Sequence, residues 1–96
     1  MRAHAIANGC YVVAVNRTGF EQSPGSEKEG ISFWGQSFVA APDGSILERA
    51  PHDEEEVIVI TLDMIQIESQ RHGWPFFRDR RIDAYGSLTN RYLDKE

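Results

Sequence analysis

A chain of 96 residues suits one small domain, and its 41% hydrophobic and 26% charged residues are ordinary for globular proteins. The formal net charge of −5 argues against a nucleic-acid or anionic-membrane surface, since both require a basic patch. The single cysteine cannot form an internal disulfide, and no apolar run approaches the ~18 residues of a membrane span. Together these features predict a soluble, cytoplasmic protein that binds neither nucleic acid nor membrane.

The first predicted elements are a short helix and a strand. Arg2 to Asn8 forms the helix, and Gly9 stands where a C-terminal glycine cap belongs. Residues 11–16, YVVAVN, are continuously apolar and β-branched up to Asn16, a pattern typical of a strand buried on both faces. Something must therefore cover each side of this strand.

Residues 17–30 are polar and predict a surface loop. The segment contains SPGS at residues 23–26 and the charged EKE at residues 27–29. Connections of this length are often functional, so the loop either borders a site or is a mobile connector.

Residues 31–47, ISFWGQSFVAAPDGSIL, predict a strand, a tight turn and a second strand from Ser45 to Arg49. Pro42 presets φ, Asp43 can accept bonds from the backbone that follows, and Gly44 can adopt positive φ. Side chains alternate in direction along a strand, so both faces of the first strand carry bulk and both should be covered. One predicted face carries Phe33, Gly35, Ser37, Val39 and Ala41, and the other carries Trp34, Gln36, Phe38 and Ala40.

After this hairpin, the acidic residues 53–56 predict a solvated turn. Residues 57–62, VIVITL, predict another strand suited to burial. Asp63 is then placed as the N-cap of a helix, with Gln66 reaching back to the cap, and Gly73 with Pro75 ends that helix.

The tail from residue 74 combines aromatic side chains with alternating charge. Its arginines are expected to pair with carboxylates such as Asp79 and Asp83. Aromatic residues and arginine are enriched at interfaces, so the tail is either a subunit contact or an extended segment packed on its own subunit. The candidate interface residues are Trp74, Phe76, Phe77, Arg78, Arg80 and Arg81.

The predicted elements do not close a core by themselves. At least two of about four strands require cover on both faces, yet only one complete helix and one short helix accompany them. The pattern therefore predicts that another half of the fold, or another subunit, supplies the missing cover.

FWGQSFVAAPDGSIL, preceded by NGCYVVAVNRTGFE and followed by WPFFRDRRIDAY, closely resembles the C-terminal part of the carbon-nitrogen hydrolase (nitrilase) superfamily, and within it the branch of N-carbamoylputrescine amidases. The resemblance implies an α/β fold in which residues 1–96 form the C-terminal portion of one domain. It also implies a partial α-β-β-α sandwich without its N-terminal half. The expected partners are a small-molecule N-carbamoyl amine and further copies of the same chain, in a homo-oligomer.

The resemblance places the catalytic glutamate, lysine and cysteine upstream of the matched region, so no catalytic residue is assigned in this chain. Cys10 does not match the nucleophile's block and is predicted to be a small buried hydrophobe. Lys28 and Lys95 lack the buried setting such a lysine needs. The sequence and its resemblance to the family together predict no metal and no cofactor. The three histidines and one cysteine do not have the spacing of metal ligands.

What the resemblance does carry over is the wall of the substrate pocket. A polyamine substrate would favour an acidic or aromatic recess, and Glu21 and Trp34 are its candidates. The candidate wall residues are Asn16, Arg17, Glu21, Trp34 and Ser37.

Three alternatives remain open. One is a related amidase acting on N-carbamoyl amino acids or simple amides, because fold does not fix substrate. Another is a non-catalytic binding or assembly module. The third is a small thiol enzyme in which Cys10 is activated by His4, His52 or His72.

Overall fold

The computed structural model describes residues 1–25 and 29–94, so the predictions made for Glu27, Lys28 and Lys95 lie outside the described residues. Two helices and five strands occur within the described ranges, followed by two short 3₁₀ turns at Ile82–Ala84 and Gly86–Thr89. The elements in chain order are α1 (Arg2–Asn8), β1 (Val12–Ala14), β2 (Thr18–Gln22), β3 (Gly30–Trp34), β4 (Phe38–Ala40), β5 (Ile46–Arg49) and α2 (Ile65–Gly73).

The strands form two antiparallel units. A three-stranded sheet has the order β1-β4-β5, with Val13 opposite Val39 and Phe38 opposite Arg49. Strands β2 and β3 form a separate two-stranded ribbon in which Phe20 pairs with Ser32. Short connections join β1 to β2 and β3 to β4, so the ribbon lies next to the paired strands β1 and β4.

Helix α1 has the predicted bounds, and its glycine cap is confirmed. Gly9 adopts φ 56°, and its N–H donates to Ile6 O at 3.2 Å. At the other end of the helix, Arg2 Nε donates to Gly44 O at 2.7 Å. A seven-residue helix is marginal alone, so this contact with the β4-β5 turn helps to hold it.

The predicted turn between β4 and β5 is confirmed. Gly44 takes φ 87°, and its N–H donates to Ala41 O at 2.8 Å. Asp43 Oδ1 accepts from the Ser45 N–H at 2.9 Å and from the Ser45 hydroxyl at 2.6 Å. The Asp43 side chain therefore stabilises the turn as an Asx-type bond does.

The long first strand predicted between residues 31 and 41 is wrong, because the chain breaks at Gly35 and Gln36. These residues adopt φ 61° and φ 55°, so β3 ends at Trp34 and β4 starts at Phe38. A Cβ on Gly35 would lie 2.7 Å from Thr18 Cγ2 and 2.9 Å from Pro51 O. Close approach of other chain segments forces the break, and the predicted alternation of faces does not continue across it.

The surface loop predicted for residues 17–30 is also wrong where strands form, at Thr18–Gln22 and at Gly30. Residues 18–22 instead pair with residues 30–34, from Thr18 opposite Trp34 to Gln22 opposite Gly30. The ribbon is exposed on both faces, so it carries no alternation of apolar and polar residues from which a strand could be predicted.

Residues 57–62 are extended but unpaired, so the strand predicted there is wrong for this structure. Ile58, Ile60 and Leu62 are half-buried, while Val57 and Val59 are 89% and 92% exposed. The exposure of successive side chains therefore alternates with a period of two residues, as in a β-strand. None of the backbone groups of residues 57–62 hydrogen-bonds to the described part of the chain.

Helix α2 begins close to its predicted start but with different capping. Asp63 Oδ1 accepts from the Ile65 N–H at 3.0 Å, while Met64 occupies the N-cap position. Gln66 does not reach back to the cap, because its Oε1 accepts from the Tyr11 hydroxyl at 3.0 Å. The same hydroxyl lies 2.9 Å from Asp63 O, so Tyr11 holds the start of α2 against the start of β1.

The buried core is small and the molecule is flat. The buried hydrophobic residues are Ala5, Val39, Ala40 and Ala41, and the molecule measures 56 × 47 × 13 Å. Its radius of gyration of 20.2 Å exceeds the about 12–13 Å of a compact domain of this length. The expected cover on both faces of the strands is thus absent from the described residues, and no helix among them is long and apolar enough to cross a membrane.

Candidate functional site

A cavity of about 650 Å³ lies between the end of β1, the break between β3 and β4, and the extended residues 54–60. Val13, Val15, Ile58 and Ile60 supply apolar wall. Polar residues cluster where β1 ends, and they include four of the predicted wall residues. Those four are Asn16, Arg17, Glu21 and Ser37.

Asn16 and Ser37 tie the end of β1 to the start of β4. The Asn16 N–H donates to Ser37 Oγ at 2.8 Å, and Ser37 Oγ donates back to Asn16 O at 3.3 Å. Asn16 Nδ2 donates to Gly35 O at 3.0 Å, and its Oδ1 accepts from the Arg17 N–H at 2.8 Å. Both side chains therefore use their polar groups to shape the wall.

Arg17, just before β2, and Glu21, within β2, form an ion pair at the rim of the cavity. The Arg17 guanidinium also lies 4.5 Å from the ring centroid of Phe33, a cation-π distance. Because Arg17 already neutralises Glu21, that carboxylate is not a free anion awaiting a cationic ligand. The side chains of both residues are more than half exposed, so the pair contributes modestly to stability.

Trp34 lies away from the other wall residues. Its side chain is 76% exposed and lines a separate cavity of about 520 Å³ together with Phe20, His52 and Asp53. The break at Gly35 and Gln36 separates the two cavities, and Gln36 lines both of them.

Sequence reasoning missed three carboxylates at the larger cavity. Glu54, Glu55 and Glu56 line it, although the acidic run predicts only a solvated turn. Their position depends on the Gln36 N–H, which donates to Pro51 O at 3.2 Å and so anchors the start of the acidic segment beside β4. Such a long-range contact leaves no local pattern in the sequence.

Cys10 is half-buried at the junction of α1 and β1, where its N–H donates to Ala5 O at 3.1 Å. His4 and His52 are exposed, and His72 Nδ1 lies 2.8 Å from Glu68 O. Within residues 1–25 and 29–94, no group of three metal-binding side chains comes together.

The aromatic and arginine residues of the tail lie together next to the ends of α1 and α2. Trp74 stacks on Phe76 at 6.2 Å between ring centroids, and the Arg80 guanidinium lies 3.8 Å from the Phe77 centroid. Arg78 pairs with Asp79 at 2.9 Å, as expected. Trp74 and Phe77 remain 64% and 77% exposed.

Arg81 and Asp83 form the second expected pair of the tail, and the pair is bidentate. Arg81 Nε donates to Asp83 Oδ1 at 2.9 Å, and Arg81 Nη2 donates to Asp83 Oδ2 at 2.7 Å. The Arg81 hydrogen bonds lower the pKa of the Asp83 carboxyl, and the same contact raises the pKa of Arg81. Both side chains are exposed, so the pair orients the tail without contributing a buried charge.

Comparison with known proteins identifies the family. The sequence profile of the family "carbon-nitrogen hydrolase" matches residues 1–72. An N-carbamoylputrescine amidase of Oryza sativa subsp. japonica is 45% identical over 89 residues, covering 92% of this chain and 30% of that protein. A citrullinase of Francisella tularensis subsp. tularensis is 29% identical over 92 residues, covering 96% of this chain and 31% of that protein.

A solved structure agrees with the sequence relatives. The carbon-nitrogen hydrolase from Helicobacter pylori G27 matches with a TM-score of 0.82 and 46% identity, over 96% of this chain and 31% of that one. The chain therefore belongs to the carbon-nitrogen hydrolase family, and the predicted fold class is confirmed. It spans about 30% of the length of the curated relatives that it matches.

Proposed function

We propose that this chain is the C-terminal portion of an amidohydrolase that hydrolyses the carbamoyl C–N bond of N-carbamoylputrescine. One water is consumed, and putrescine, carbon dioxide and ammonia are released. The chain contributes part of the sheet and one wall of the substrate pocket. The catalytic glutamate, lysine and cysteine come from the rest of the enzyme, so the 96 residues alone are inactive.

The observation that carries the proposal is the 42–45% identity to four plant proteins named N-carbamoylputrescine amidase, each over about 30% of its length. The cavity supports it independently. Its walls are apolar at Val13, Val15 and Ile58. Because Arg17 pairs with Glu21, the carboxylates of residues 54–56 give its lining an excess of negative charge. An alkyl chain ending in an ammonium matches apolar walls with carboxylates nearby.

The experiment is product analysis on the protein expressed from its complete reading frame. Incubation with N-carbamoylputrescine should release putrescine and ammonia in equal amounts, and the isolated 96-residue chain at the same concentration should release neither. Absence of both products from the complete protein would exclude the proposed activity.

A second candidate is hydrolysis of an N-carbamoyl amino acid. The citrullinase of Francisella favours it, since 29% identity extends over 96% of this chain. The negative charge of the cavity opposes it, because a substrate carboxylate would meet Glu54, Glu55 and Glu56.

We also propose that the enzyme is a cytoplasmic homo-oligomer acting in polyamine biosynthesis, and that the tail forms a subunit contact. Trp74, Phe76, Phe77, Arg78, Arg80 and Arg81 provide aromatic and guanidinium groups of the kind enriched at interfaces. A non-catalytic assembly module would use the same surface but would show no hydrolysis with the complete reading frame.

A further inference from the structure

Gln36 is held in a backbone conformation that side-chain-bearing residues rarely adopt. Its φ of 55° is the one positive value found at a non-glycine residue in the described ranges. Such a conformation costs free energy and persists only where the surroundings impose it.

The surroundings impose it through three hydrogen bonds that hold the break between β3 and β4. The Gly35 N–H donates to Arg17 O at 2.8 Å, and Asn16 Nδ2 donates to Gly35 O at 3.0 Å. The Gln36 N–H donates to Pro51 O at 3.2 Å. Gln36 is thus fixed at the wall of the larger cavity with an exposed side chain.

The carboxamide of Gln36 differs from the neighbouring polar groups of the wall, which already take part in hydrogen bonds or an ion pair. Asn16 and Ser37 hydrogen-bond to each other's segments, and Arg17 pairs with Glu21. The Gln36 side chain makes no hydrogen bond to any residue that the structure describes. The Gln36 carboxamide is therefore available to hydrogen-bond a ligand in the cavity.

We propose that the Gln36 carboxamide contacts substrate by hydrogen-bonding the neutral ureido group of an N-carbamoyl amine, an inference that rests on the proposed function. A carboxamide carries both a donor and an acceptor, and a ureido group offers a carbonyl oxygen and N–H groups in return. The substrate's ammonium pairs more strongly with an anion, and Glu54 to Glu56 line the same cavity. Gln36 is thus a specificity residue for the uncharged end.

The test uses two variants of the protein expressed from its complete reading frame. Gln36→Met keeps the side-chain length and the backbone strain but removes the hydrogen-bonding amide. Gln36→Gly removes the amide and relieves the strain. Each variant is assayed for kcat/KM with N-carbamoylputrescine and for the Ki of putrescine, which has ammonium groups but no ureido group.

We expect both variants to lower kcat/KM by about three- to tenfold, the effect of one neutral hydrogen bond, with an unchanged Ki for putrescine. Gln36→Gly should melt at or above the wild-type temperature, which separates the loss from unfolding. Unchanged kcat/KM, or a Ki that rises in parallel, would overturn the assignment while leaving the proposed function intact. A wild-type protein that turns over no ureido substrate would instead defeat the proposed function, and this inference with it.

Discussion

Ser37 and Asn16 exchange two hydrogen bonds, 2.8 Å from the Asn16 N–H to Ser37 Oγ and 3.3 Å from Ser37 Oγ to Asn16 O. One hydroxyl therefore satisfies both backbone groups of Asn16, which lies two residues beyond the end of β1. It also fixes the distance between β1 and the break that carries Gln36.

Ser37→Ala should destabilise the complete protein by about 1 kcal/mol, because the backbone groups of Asn16 lose their partner. Denaturant unfolding measures this change. Ser32→Ala is the matched control, since Ser32 is exposed on β3 and makes no side-chain hydrogen bond within the described chain, and it should change stability by less than about 0.5 kcal/mol. Equal effects of the two substitutions would show that the Asn16-Ser37 link is unimportant.

Gly44→Ala should cost about 2–4 kcal/mol, because the new Cβ would combine positive φ with a steric clash. Gly44 has φ 87°, and the Cβ would lie 2.6 Å from Ile6 Cδ1. Gly19→Ala separates the effect of positive φ from that of the steric clash. Gly19 has φ 97°, and no atom would lie within 4 Å of the new Cβ. That control should cost about 1–2 kcal/mol. Thermal unfolding giving the same loss for both would contradict the packing of α1 on the turn.

The Asp43 carboxylate should make the free energy of unfolding fall more steeply at acidic pH than it would with an uncharged residue at this position. The Ser45 hydroxyl and then the Ser45 N–H lower the pKa of the Asp43 carboxyl below its ordinary 3.8. A lowered folded-state pKa contributes stability that is present above the unfolded pKa of about 3.9 and lost as pH falls through the folded value. Unfolding free energies measured from pH 6 to pH 3 should therefore fall less steeply in Asp43→Asn. Ser45→Ala should give a similar flattening, and an unchanged slope in both variants would contradict the turn's electrostatics.

The isolated chain should not unfold cooperatively. Its buried hydrophobic residues are three alanines and Val39, and 20.2 Å is a large radius of gyration for its length. Hydrogen exchange should find the amides of residues 57–62 unprotected in the isolated chain and protected in the complete protein, where a neighbouring strand can pair with them. A sharp thermal transition in a dilute monomer of the 96 residues would contradict this expectation.

Local signals sufficed for part of the fold. The glycine at the end of α1 and the turn at Pro42, Asp43 and Gly44 each depend on a few consecutive residues whose preferences agree, and both are confirmed. The continuous apolar run of residues 57–62 also indicated an extended segment, although pairing requires a partner that the described chain does not provide.

Other features depend on distant contacts and could not be predicted. The break at Gly35 and Gln36 is imposed by Thr18 and Pro51, which are far away in sequence. The exposed ribbon of β2 and β3 has no buried face to leave a periodic pattern. Because of the same break, Trp34 lies outside the cavity of about 650 Å³, whereas Gln36 and the acidic residues 54–56 line it.

The ratio of kcat/KM for N-carbamoylputrescine to that for citrulline, measured with the protein expressed from its complete reading frame, tests the central claim most directly. The acidic lining of the cavity predicts a preference of about tenfold or more for the amine substrate, since citrulline carries a carboxylate that Glu54, Glu55 and Glu56 would repel. A ratio near or below unity would contradict the assignment to an N-carbamoyl amine and favour an N-carbamoyl amino acid instead.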